Sequence, residues 1–312
     1  MTRLAPSVGV LVAMLAMAPL PARAQTFAGA PQTFASAPLT FAAAPQAASQ
    51  AATDADRWPH TLPFLANVAL DRGYELPLPL GLSGIFYYVE RDIEITDIRV
   101  GVDGAPLESV SKFLTAGSRS HVSVAVARLD AWLLPFLNVY GMLGYVSNNT
   151  TTRGEVTIPR PGRLPGERTF FLSAKTELQG FMGGAGLTLA AGYRDFFVMG
   201  DVNYSQTDIG FDDRFRALIG SIRTGWNGKI LDVPVRFWVG GVYWGTRSTA
   251  KSTVDVEDVG QVKFEADQGP VHPLNAMVGA QTTLFKRWDI FVEYGTNAKD
   301  VQTIAAGLTF RF

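Results

Sequence analysis

Val301-Gln302-Thr303-Ile304-Ala305-Ala306-Gly307-Leu308-Thr309-Phe310-Arg311-Phe312 is the most regular stretch of this chain. Gln302, Ile304, Ala306, Leu308, Phe310 and Phe312 fall on one side at period two, and Thr303, Ala305, Gly307, Thr309 and Arg311 fall on the other. An apolar row backed by a small and polar row is a strand with two different surroundings, one oily and one not.

The same alternation recurs upstream. Phe196, Val198, Gly200, Val202 and Tyr204 oppose Met199, Asp201, Asn203 and Ser205, and Ile290, Val292 and Tyr294 oppose Asp289, Phe291 and Glu293. Ten strands are expected, near 79–90, 119–131, 137–147, 170–190, 196–205, 214–226, 233–245, 273–284, 289–295 and 301–312. The run Val122 to Trp132 has no cleanly polar face, so either a bulge or an inward Arg128 and Asp130 pair fits it. Ile93 to Val102 reads as an extension of the first strand or as a separate hairpin.

Connections sort themselves by length. Short turns are expected around Leu134-Pro135-Phe136, Gly192 to Asp195, Asn227-Gly228-Lys229 and Phe285-Lys286-Arg287, whereas 91–118, 148–168 and 246–272 read as long loops. Such sorting suits an up-and-down membrane barrel and has no reason in a soluble one. Trp132, Tyr193, Trp226 and Trp288 fall near the short-turn ends, and Tyr145, Tyr204, Trp244 and Tyr294 near the long-loop ends, as two interfacial girdles would. The expectation is an all-β, transmembrane, up-and-down antiparallel β-barrel of about ten strands, with twelve or eight as alternatives, over residues 58–312. No apolar run past Pro79 is long enough for a spanning helix.

Composition narrows the chemistry. The 312 residues carry a formal net charge of -1, so no basic field is available for nucleic acid. The chain has no cysteine, which excludes disulfides, thiolate zinc sites and cysteine nucleophiles. Its three histidines, His60, His121 and His272, are too scattered for a short-spaced metal motif, and no cofactor is expected.

Residues 1–24 combine Arg3, an apolar run from Val8 to Leu20 and Ala22-Arg23-Ala24, the layout of a secretory signal peptide. Residues 25–57 then repeat Thr-Phe-Ala-x-Ala-Pro with Phe27, Phe34 and Phe41 seven apart. One proline per repeat breaks any helix and one Phe per repeat builds no core, so a disordered linker is expected, with a periplasmic partner for its spaced Phe residues as the sharper alternative.

Behind a signal of this kind, the alternating Ile304, Leu308 and Phe310 with Phe312 resemble the C-terminal targeting strand of Gram-negative outer-membrane β-barrels. That resemblance implies an outer-membrane location, export through the periplasm and the barrel assembly machinery as a folding partner. The run Arg128 to Tyr145 also looks like a segment of uncharacterised barrel proteins, which brings no activity with it. Independently, hydrocarbon forces every backbone polar group to pair within the protein, so an all-strand chain crosses only as a closed ring, and the tenth strand must meet the first.

Parity makes Asp201, Asn203, Arg236, Trp238, Gln281, Glu293 and Arg311 candidate lumen residues, either plugging a narrow interior or selecting solutes. Arg160, Arg163 and Arg168 are candidate contacts for outer-membrane lipid, the phosphates of lipopolysaccharide in particular, since guanidinium matches phosphate. His121-Val122-Ser123 looks slightly like the H-x-S of outer-membrane lipid A deacylases, but no carboxylate on the following strand orients the ring. The main expectation is therefore a non-enzymatic barrel, a narrow pore or a structural and surface-interaction protein. A lipid-modifying hydrolase and a soluble periplasmic barrel binding an apolar ligand are the alternatives.

Overall fold

The computed structural model describes residues 57–102, 106, 108–109, 114–160, 166–208, 215–246, 248–256 and 260–312. The expected signal peptide and all of the expected linker except Arg57 lie outside these residues. Among the described residues the elements are α1 (Ala66–Asp71), β1 (Leu80–Val102), β2 (Glu108–Ser109), β3 (Leu114–Leu134), β4 (Leu137–Arg160), β5 (Gly166–Tyr193), β6 (Phe196–Asp208), β7 (Phe215–Ile230), β8 (Val233–Thr246), β9 (Ser248–Val256), β10 (Gly260–Pro270), β11 (Leu274–Leu284), β12 (Trp288–Thr296) and β13 (Val301–Arg311).

Ten of these strands close a ring in the order β1-β3-β4-β5-β6-β7-β8-β11-β12-β13, every neighbour antiparallel. The seam is β13 against β1, in unbroken register from Gly81↔Arg311 to Arg91↔Val301. Closure leaves no edge inside the ring, so each backbone amide in the wall has a partner. The Val122 to Trp132 run pairs with β1 without a bulge and turns Arg128 and Asp130 inward.

Burial is inverted relative to a water-soluble protein. Strand β6 alternates exposed and buried along its length, with Val198, Val202 and Tyr204 outside and Asp201, Asn203 and Ser205 at 6%, 2% and 0% exposure inside. Leu143 and Phe181 are 72% and 74% exposed, while Arg128 and Arg311 are 1% and 2% exposed. An oily outer face of this extent exceeds the apolar patches of soluble monomers. Part of the interior is apolar too: Ile85, Val89, Val122, Val124 and Val146 pack with Met182, Phe197 and Phe291. Both faces of β3 are therefore largely apolar, which is why parity alone could not orient it.

Three expectations are corrected. The stretches read as long loops are mostly strand: β1 continues to Val102 and pairs with β10, the β3–β4 ladder reaches Leu114↔Val156, and the β4–β5 ladder reaches Arg160↔Gly166. With β9 paired to β10, these segments project beyond the ring as a further sheet, where both faces can be polar and the sequence shows no apolar alternation. The β7–β8 turn is Leu231-Asp232, not Asn227-Gly228-Lys229. Gly228 lies within strand β7, and the Trp226 ring fills the place where a side chain at that position would be. Finally, Trp132 and Trp244 point inward, at 1% and 5% exposure, and belong to the core instead of a girdle. Tyr145, Tyr193, Tyr204, Trp288 and Tyr294 do face out.

The short-turn end carries a cap that sequence periodicity did not reveal. Residues 57–79 fold under the ring, with the Phe64 amide donating to the Leu133 carbonyl at 2.8 Å and the Trp132 amide to Pro79 at 2.8 Å. Pro77 and Pro79 are buried there. α1 has only 6 residues, too few to show helical alternation.

Candidate functional site

The interior of the ring is the candidate site, and it is built in layers. At the short-turn end β13 supplies Arg311, whose Nε donates to Asp289 of β12 at 3.0 Å and whose Nη1 donates to Asp130 of β3 at 3.2 Å. Asn138 of β4 donates to the same Asp130 at 2.8 Å and accepts from Arg128 at 3.1 Å. The Arg128 guanidinium lies 3.5 Å over the ring of Tyr140, a cation–π stack inside the wall. Thr283 donates to Asp289 at 2.6 Å, and Arg236 donates to Asn227 at 3.0 Å.

One layer further in, two carboxylates organise the centre. Asp201 accepts from Tyr140 at 3.0 Å, Thr188 at 2.6 Å and Asn203 at 3.4 Å. Glu293 accepts from Arg223 through both oxygens, at 2.8 and 3.1 Å, and from the Trp238 indole at 2.7 Å. Arg223 also donates to Ser221 at 2.7 Å. Toward the long-loop end Val89, Val122, Val124 and Val146 fill the section, followed by a layer where Ser120 and Thr150 donate to Asn148 at 2.6 and 3.2 Å and where Arg91, opposite Ser120 in register, is buried.

Glycines make this filling possible. The Tyr140 ring occupies the place of a side chain at Gly186, and Met142 does so at Gly184. The glycine-rich run Gly180 to Gly186 is therefore a floor for side chains arriving from β4, not a ligand loop.

Charges of both signs share the interior: Arg91, Arg128, Arg223, Arg236 and Arg311 are inside with Asp130, Asp201, Asp289 and Glu293, and Arg223–Glu293, Arg311–Asp130 and Arg311–Asp289 are ion pairs. Taking an ion out of water costs several kcal/mol, so buried groups persist only when each meets a counter-charge or hydrogen bonds. The arrangement holds side chains in place.

Of the lumen candidates read from parity, Asp201, Asn203, Trp238, Gln281 and Arg311 are buried inside, and Arg236 and Glu293 are half-buried there. The ring brings Trp238 to Glu293, and Asn203 donates to Asp201, two positions before it on the same strand. The sequence reading left out Arg223, Tyr140, Thr188, Asn138 and Asp289. Arg223 was findable, since it shares the row Phe215, Ala217, Ile219 and Ser221, where one arginine interrupts apolar and small residues.

The remaining candidates sit elsewhere. Ile304, Leu308 and Phe312 face outward at 50%, 42% and 45% exposure, and Phe310 packs on Trp288 at 4.8 Å between ring centroids. Arg160 and Arg168 lie in β4 and β5 near the far tip of that hairpin, with their side chains outside the described set, and Arg163 is outside it altogether. His121 is on the outer face, where Tyr88 contacts its Nδ1 at 3.1 Å. A carboxylate does approach it, Glu90 of the preceding strand at 3.9 Å. His272 pairs with Asp300 at 2.9 Å.

No family model matches the chain. No curated protein matches it either. Among solved structures it is similar to the outer membrane protein OprG from Pseudomonas aeruginosa, at 13% identity over 76% of this chain and 98% of that one, with a TM-score of 0.40. It is also similar to the transport unit of the autotransporter AIDA-I from Escherichia coli, at 9% identity over 75% and 90%, TM-score 0.31. A third likeness is to Omp33 of Acinetobacter baumannii, at 10% identity over 76% and 99%, TM-score 0.24. With each of these TM-scores below 0.5, the strand pairing of this chain is what establishes its barrel.

Proposed function

We propose that this chain is an integral outer-membrane β-barrel of a Gram-negative bacterium, closed along its axis by its own side chains, acting as a structural and surface-interaction protein without enzymatic activity. The observation that carries the reading is the inverted burial: Leu143 and Phe181 exposed on the outside, and Arg223 held by Glu293 on the inside, where Val122, Val124 and Val146 complete the filling. Lipid is the environment in which the outer face is stable, and a packed interior leaves no column of water to carry ions.

The projecting sheet of β1, β3, β4, β5, β9 and β10 is the part available to partners outside the cell. Arg160, Arg163 and Arg168 would meet lipopolysaccharide phosphates from the β4–β5 hairpin. Ile304, Leu308, Phe310 and Phe312 would be read by the assembly machinery, and the Phe27, Phe34 and Phe41 repeats would serve a periplasmic partner.

Conductance of the purified chain in planar bilayers tests the closed interior. The expected record is a baseline without steps. A steady ohmic conductance would instead make the lumen a narrow pore lined by Asp201, Arg236 and Glu293.

A further inference from the structure

Leu65, Leu231 and Phe285 share two properties that rarely coincide. Their φ angles are 65°, 50° and 52°, in the left-handed region. They are also 60%, 94% and 88% exposed. That backbone region is strained for a bulky L residue, and Gly, Asn or Asp would take the same turn easily and suit water better. Neither the backbone nor an aqueous surface gives a reason for leucine or phenylalanine there.

All three lie at the short-turn end. Leu231 is the apex of β7–β8, Phe285 the apex of β11–β12, and Leu65 heads α1 beside the β3–β4 turn. Leu65 and Val68 share a groove of about 270 Å³ with Phe136 and Ala191, which continue the outer face of the wall. Cationic residues stand next to the apolar tips: Lys286 and Arg287 follow Phe285, and Arg194 follows Tyr193, all exposed. Apolar tips flanked by long basic side chains match the boundary where acyl chains meet phosphate headgroups.

We propose that the short-turn rim is a lipid-seated foot, with Leu65, Leu231 and Phe285 set into the acyl boundary of the adjoining leaflet and Lys286, Arg287 and Arg194 at its phosphates. The inference rests on the membrane reading above and extends it from the strand belt to the turns and α1. Continuity with the belt selects lipid as the occupant: Phe196, 64% exposed at the base of β6, links the rim to Val198 above it. The foot fixes the depth of the barrel and holds α1 against the membrane.

Spin labelling tests this directly, because the chain has no cysteine of its own. Leu65→Cys, Leu231→Cys, Phe285→Cys and, in the belt, Val278→Cys would each be made in the full chain, labelled, and folded into phosphatidylethanolamine–phosphatidylglycerol vesicles. Collisions with oxygen and with a water-soluble nickel chelate are then compared at each site. The expected result is oxygen exceeding nickel at Val278 and at all three rim sites. Nickel dominating at the rim while oxygen dominates at Val278 overturns the foot and leaves the barrel in its membrane. Low access to both reagents at the rim means that protein covers it, the repeat segment or a second copy, and overturns the lipid assignment. Nickel dominating at Val278 itself overturns the membrane reading and the foot with it.

Discussion

Arg223 of β7 and Glu293 of β12 form a two-pronged ion pair inside the ring, 2.8 and 3.1 Å between their atoms, and the Trp238 indole adds a third bond to the same carboxylate at 2.7 Å. Since β7 and β12 are not neighbours in the wall, the pair ties separate parts of the ring to each other through the interior. A planar guanidinium meeting a carboxylate in this way is directional, and a third donor leaves the glutamate little freedom.

Removing one member leaves the other inside the ring without its counter-charge. Arg223→Leu is expected to lower the folding stability by about 3–5 kcal/mol, whereas Arg223→Leu combined with Glu293→Leu recovers most of that loss. Urea unfolding of the vesicle-folded barrel, followed by tryptophan fluorescence, gives both values. Equal losses in the single and double variants would remove the pair from the account.

Arg311 is the inner counterpart at the seam, since it bonds both Asp289 and Asp130 from the last strand. Arg311→Ala should lower the temperature at which the folded band disappears in unboiled electrophoresis. Arg311→Lys should fall between that variant and the parent, because one ammonium reaches the two carboxylates less well than a guanidinium fork.

Glycine positions inside and outside should differ sharply. A side chain at Gly186 would lie 2.7 Å from the Val202 carbonyl oxygen and collide with the Tyr140 ring, so Gly186→Val should abolish folding. Gly84 meets nothing within 4 Å, and Gly84→Ala should fold as the parent does. Yield of folded barrel after dilution from urea into detergent separates the two.

The wall was legible because its strands must satisfy lipid on one side, and period two in residues such as Ile304, Leu308 and Val278 records that demand. Strand ends were less legible. Beyond the belt, Thr150, Thr151 and Thr152 pair as strand without any apolar alternation to announce it. Parity assigned residues to the interior but said nothing of which ones meet. Tyr140 to Asp201 spans 61 positions and Arg311 to Asp130 spans 181, and such distances carry no local signal. The inward Trp132 and Trp244 were misassigned because position near a rim does not tell which way a side chain points.

Depth should govern the cost of charge on the outer face. Val278→Arg, in the middle of the belt, is expected to destabilise the vesicle-folded state by about 2–4 kcal/mol, and Gln302→Arg, outward and near the long-loop rim, by about 0–1 kcal/mol. Equilibrium refolding into vesicles reads both, and equal costs would place Val278 outside the hydrocarbon.

The most direct measurement is the migration of the detergent-folded chain in SDS electrophoresis with and without boiling. A closed barrel with a filled interior resists SDS, so the unboiled protein should run as a compact, faster band that shifts to the full-length position on heating. A single position regardless of heating, from protein that stays soluble once detergent is removed, would contradict a sealed ring facing lipid.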